Sequence, residues 1–113
     1  MSLSLLQELG QSMLANTLPD PAASGNGYIR VVDRGITVCT LTVAQNNRQI
    51  IGGATPGQIL VLLNKSGSAI SNITDAATNL ALTLDANQAA ICVATGDSTK
   101  PWAAVILLAG TVT

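Results

Sequence analysis

The sequence predicts a mainly β fold: a jelly-roll-like β-sandwich or barrel of about eight short antiparallel strands, preceded by a short N-terminal helix and a linker. Three observations carry that expectation. From Tyr28 onward short aliphatic runs alternate with clusters of Gly, Asn, Asp, Pro and Ser, the punctuation of strands and turns. "NLALTL" alternates with period two, placing Leu80, Leu82 and Leu84 on one face and Asn79, Ala81 and Thr83 on the other. Before Tyr28 the apolar spacing is helical instead, and a Pro/Gly-rich segment separates the two regimes.

The helix is expected over residues 2–15, "SLSLLQELGQSMLA". Ser4 followed by Gln7 fits a capping box, in which the hydroxyl and the amide satisfy the first free backbone N–H groups reciprocally. Leu5, Leu6, Leu9 and Met13 then form an apolar stripe, weakened in its interior by Gly10. A helix this short is marginal in isolation and needs a surface to pack on. "LPDPAASGNG", residues 18–27, reads as linker. Gly25 and Gly27 are not read as a phosphate loop, because no strand precedes them and no helix follows. The chain therefore divides into residues 1–27, a docking arm with Leu5, Leu6, Leu9 and Met13 as its anchors, and residues 28–113, a β domain.

The expected strands are "YIRVVDR", "ITVCTLTV", "RQII", "QILVLLN", "SAISNIT", "NLALTL", "AAICVAT" and "WAAVILLA". Breakers separate them at Gly35, Asn46-Asn47, Gly52-Gly53, Pro56-Gly57, Lys65-Ser66-Gly67, Asp85-Ala86-Asn87 and Gly96-Asp97. Two strands are apolar on both faces. In "ILVLL", Ile59, Val61 and Leu63 oppose Leu60 and Leu62; in "WAAVILL", Trp102, Ile106 and Leu108 oppose Val105 and Leu107. A strand of a small sandwich shows one face to the core, so a second apolar face implies a second cover. Another copy of the chain is the simplest one, and Leu60, Leu62, Val105 and Leu107 are the expected subunit-interface residues.

Composition points the same way. Charged residues are 10% of the chain, against roughly 25% in an average globular protein. Mean hydropathy is positive, +0.44. No run approaches the ~18 apolar residues of a membrane span, and the N-terminus lacks the basic and apolar regions of a secretory signal. The apolar excess is thus expected between subunits. The net charge is −1, Arg30, Arg34, Arg48, Lys65 and Lys100 are scattered, and Tyr28 and Trp102 are the sole aromatics. A nucleic-acid binder concentrates cations or offers stacking platforms, and this chain has neither.

Chemistry is sparse. Histidine is absent, which excludes the Ser-His-Asp and Cys-His arrangements and disfavours zinc. The six acids, Glu8, Asp20, Asp33, Asp75, Asp85 and Asp97, are dispersed, mostly in turns where Asp hydrogen-bonds the backbone. Cys39 and Cys92 fall inside expected strands, as buried thiols or as a disulfide between neighbouring strands. "NKS" and "NIT" match the glycosylation pattern and, without a signal peptide, are read as turn and strand-edge residues. No catalytic group, metal or cofactor is expected.

The stretch "PGQILVLLNKSGSAISNITDAATNLALTLDANQAAICVATGDSTKPWAAV" resembles a small module that recurs in tailed-bacteriophage virion proteins: capsid decoration (cement) proteins, head fibres and fibre tips. The matching positions are Pro56 to Gln58, Asn64, Leu80 to Leu84, Asn87 and Asp97 to Trp102, within residues 50–108. Pro101 before Trp102, and Ser98 where the module commonly has Gly, depart from the pattern. The resemblance implies a non-enzymatic virion structural protein, a homotrimer that stabilises the head by binding its major capsid protein. It implies a location on the capsid exterior after synthesis in the host cytoplasm; composition, as above, leads to the expectation of no nucleic-acid or membrane partner. The alternative is a receptor- or glycan-binding fibre tip or lectin-like module. Short length and few aromatics favour decoration.

Overall fold

The computed structural model describes residues 15–21, 27–31, 35–52, 55–75 and 80–107. Nine strands lie among them: β1 Ala15–Leu18, β2 Ile29–Val31, β3 Ile36–Leu41, β4 Gln49–Gly52, β5 Ile59–Asn64, β6 Ile70–Asp75, β7 Ala81–Leu84, β8 Ala89–Ala94 and β9 Trp102–Leu107. They form a five-stranded sheet in the order β1-β3-β5-β8-β9 and a four-stranded sheet in the order β2-β4-β6-β7. One apolar core, with residues from both, lies between them. Each of the eight expected strands has its counterpart, from β2 to β9.

Their pairing corrects the antiparallel expectation. The first six strands alternate between the sheets, and each runs parallel to the strand two before it: β1 with β3, β3 with β5, β2 with β4 and β4 with β6. Ala15 lies beside Ile36, Ile36 beside Ile59, and Gln49 beside Thr74, so one turn of this two-sheet coil takes 21 to 25 residues. Only β5–β8, β8–β9 and β6–β7 are antiparallel. A jelly roll is built from antiparallel strands, and this winding is not one. The physical reason is local. Parallel neighbours need a crossover of a dozen or more residues, commonly a helix. Here each crossover contains a short strand of the opposite sheet, which reads in sequence like one more strand of a meander.

The expected helix over 2–15 and its anchors Leu5, Leu6, Leu9 and Met13 lie outside the described residues, except that Ala15 opens β1. Leu18, expected in the linker, closes that strand and packs partly against the core. The sheet therefore begins before Tyr28.

Alternation decides what fills the core. From the five-stranded sheet come Cys39, Leu41, Leu60, Leu62, Ala90, Cys92 and Trp102; from the other come Ile29, Val31, Ile50, Ile70, Ile73, Leu82 and Leu84. Ile70 and Ile73 are three apart and both point inward, which strict alternation forbids. A register shift between them absorbs the extra residue, and Asn72 takes the positive φ (59°) that it requires.

Candidate functional site

Because alternate residues of the five-stranded sheet face the core, the others form its outer face. The registers align them in three rows across β3, β5, β8 and β9. The first is Ile36, Ile59, Val93 and Ala103; the second is Val38, Val61, Ile91 and Val105; the third is Thr40, Leu63, Ala89 and Leu107. One hydroxyl, on Thr40, interrupts an otherwise aliphatic array that carries no charge. Its exposure is greatest on the β8–β9 side, where Val93 is 38%, Leu107 46% and Val105 55% exposed. The outer face of the four-stranded sheet is of another kind: Arg30, Asn72, Ala81 and Thr83 are exposed, with Gln49, Ser71 and Thr74 half-buried among them and Ile51, beside Arg30, the one large aliphatic side chain. Both sheets fold over one core. Among the described residues, only the five-stranded sheet shows a continuous hydrocarbon surface to the outside.

The expected interface residues divide accordingly. Val105 and Leu107 stand on the outer face. Leu60 and Leu62 are 0% exposed in the subunit's own core, so they are not available to another chain. The reading that β5 is apolar on both faces holds, but its outward residues are Ile59, Val61 and Leu63. Sequence alone cannot say which parity of an all-aliphatic strand is inside. The neighbours do, since Leu60 and Leu62 pair with Cys92 and Ala90, which share the core.

Polar groups brace the turns behind this face. Asn64, fully buried at the end of β5, donates through Nδ2 to the carbonyls of Ser68 (2.8 Å) and Leu84 (2.9 Å), and its Oδ1 accepts from the Ser66 N–H (3.0 Å) and hydroxyl (2.7 Å). It thereby fixes the β5–β6 turn to the end of β7. Asp20 and Arg48 form a buried ion pair: Nη1 donates to Oδ1 at 2.7 Å and Nη2 to Oδ2 at 3.0 Å. Asp20 Oδ2 also accepts the N–H groups of Thr42 (2.8 Å) and Val43 (2.7 Å), while Arg48 donates to the carbonyls of Gln45 and Val43. This cluster pins the segment after β1 to the β3–β4 loop. The sequence, in which its members are 28 positions apart, gives no sign of it.

Cys39 and Cys92 are free and buried. They sit on β3 and β8 with β5 between, two strand spacings or about 9.6 Å apart across the sheet, too far for a disulfide without backbone movement. This corrects the neighbouring-strand alternative. Burial pushes the Cys92 thiol up to about 12; burial, with Asp20 adding and Arg48 opposing, pushes Cys39 up to about 11. Asp97 is held below the usual carboxylate range by the N–H and hydroxyl of Thr99, both at 2.8 Å. Among the described residues no group of three or more acids or thiols gathers where a cation would bind. Comparison with protein-family models, with curated proteins and with solved structures finds no match to this chain.

Proposed function

We propose that this chain is a non-enzymatic virion structural protein, a bacteriophage capsid decoration protein that binds the major capsid protein as a homotrimer on the head exterior. The observation that carries the reading is the contrast between the two outer faces. A contiguous hydrocarbon face among the largest a monomer ordinarily shows is often an interaction site, which supports a role in assembly, whereas the polar face suits water. The resemblance supplies the kind of assembly. Its positions Pro56 to Gln58, Asn64 and Asn87 fall at hydrogen-bonded turns, which supports their use as framework rather than as reactive groups. In this role the part of the expected arm (residues 1–27) that precedes β1, residues 1–14 with Leu5, Leu6, Leu9 and Met13, supplies the capsid contact.

The test uses heads of the encoding phage stripped of this protein. Adding the purified chain back should decorate them at regularly repeated positions under electron microscopy, three copies to a site. Removal of residues 1–14 should abolish decoration and leave the melting temperature of the free protein within a few degrees. Heads that stay bare with the unaltered chain would overturn the reading.

A further inference from the structure

We infer that the outer face of the five-stranded sheet is covered by another copy of this chain. The inference rests on the proposed role as an assembling structural protein and names the surface that assembles. Four strands at about 4.8 Å and six residues at about 3.4 Å give a face of about 19 by 20 Å, near 400 Å² in projection. That is the size of the largest apolar patch a monomer ordinarily shows, and such patches are often functional. An ordinary interface takes about 800 Å² per partner, with an apolar centre and a polar rim. The aliphatic rows supply the centre. The rim begins at Thr17 and Thr40 on the β1–β3 margin, and opposite it β9 has a free edge among the described residues.

The chemistry of the face limits its occupant to an apolar surface. It offers no charge and a single hydroxyl, so it cannot compensate the desolvation of a charged or strongly polar partner surface. A second copy brings an identical aliphatic face by construction. Three copies also fit. Closed into a triangular prism, the four aliphatic strands, about 19 Å of each five-stranded sheet, lie about 5.5 Å from the axis, close to half the ~10 Å spacing of packed sheets, with β1 projecting past the corner. Val61 and Ile91, on the two central strands, would then meet at the axis, with Val105 toward a corner.

Val105→Asp tests this without disturbing the core, because the side chain is 55% exposed in the single chain. Sedimentation of the unaltered protein should give a multiple of the 11.5 kDa chain. Val105→Asp should sediment as one chain with an unchanged β circular-dichroism spectrum, and Thr83→Asp, on the polar face, should keep the parent mass. If Val105→Asp fails to fold, Val105→Cys carboxymethylated on folded protein diluted until it dissociates should stay a single chain when reconcentrated, since the native thiols are buried. A monomeric parent protein overturns the inference. So does a Val105→Asp or carboxymethylated protein of parent mass, including the case in which removing residues 1–14 alone dissociates the assembly. A dimer that Val105→Asp splits upholds this surface and sinks the trimer. A trimer that it splits, but that leaves stripped heads bare, upholds the surface and sinks the virion role.

Discussion

At Thr55–Gln58 and again at Asp85–Gln88 the chain makes similar turns. In each, the N–H of the fourth residue donates to the carbonyl of the first, and the Gln side-chain oxygen accepts the N–H of the first in return. The third residue is left-handed: Gly57 at φ 85° and Asn87 at φ 65°. Gly57→Ala should lower stability by about 1–2 kcal/mol through the backbone alone, because an added Cβ meets nothing within 4 Å. Asn87→Gly should change it by less than about 0.5 kcal/mol, and urea midpoints compare the two. Arg48→Ala should cost about 3–5 kcal/mol, since it strands a buried carboxylate. The double variant Asp20→Leu with Arg48→Met should not recover the parent midpoint, because the N–H groups of Thr42 and Val43 lose their acceptor. The thiols set an alkaline limit. Their folded pKa values, about 11 and 12, lie above the ordinary 9.0. Their contribution is therefore whole below pH 9 and is lost as pH rises through 11 to 12. The melting temperature should fall over that window, and Cys92→Ala should flatten the fall.

At the scale of elements, β6 shows how one residue fixes a register. Asn72 is the extra residue that lets Ile70 and Ile73 both face inward, and its Nδ2 donates to Asn47 Oδ1 at 2.7 Å across one turn of the coil. Asn47 is itself left-handed, at φ 63°. Asn72→Gly should keep the conformation and lose only that bond, about 0.5–1.5 kcal/mol. Asn72→Val should cost more, because a β-branched residue is a poor fit to positive φ; if the two variants melt alike, the bulge is not what holds β6. Strand existence was legible because each strand combines an aliphatic run with flanking breakers. Partnership was not, since parallel and antiparallel short strands share one local pattern. β1 was missed because Asn16-Thr17 in "ANTL" follows a helical stripe and precedes Pro19, which together read as a helix running into a linker. The outer face was half legible. Aliphatic residues at both parities of β5 and β9 announced it, but the parity that is outside depends on β8, whose small Ala90 and Ala94 face inward.

For the molecule as a whole, the two outer faces separate two kinds of force. The polar face carries Arg30 and hydrogen-bonding side chains, while the three rows of the other contain no titratable group. Assembly through those rows should therefore be insensitive to simple salt. Between 0.1 and 1 M NaCl the Debye length falls from about 10 to about 3 Å, which would weaken an interface held by surface ion pairs and has no charges to screen here. Sulfate, excluded from apolar surface, should tighten the assembly. Cooling should loosen it, because burial of hydrocarbon is entropic near room temperature, and the association should show a negative heat-capacity change. Sedimentation equilibrium across salt and temperature reads all of these on the unmodified chain. An assembly that falls apart between 0.1 and 1 M NaCl would place the contact on the scattered charges, Arg30, Lys65 and Lys100 among them, and would leave the hydrocarbon face to some other partner.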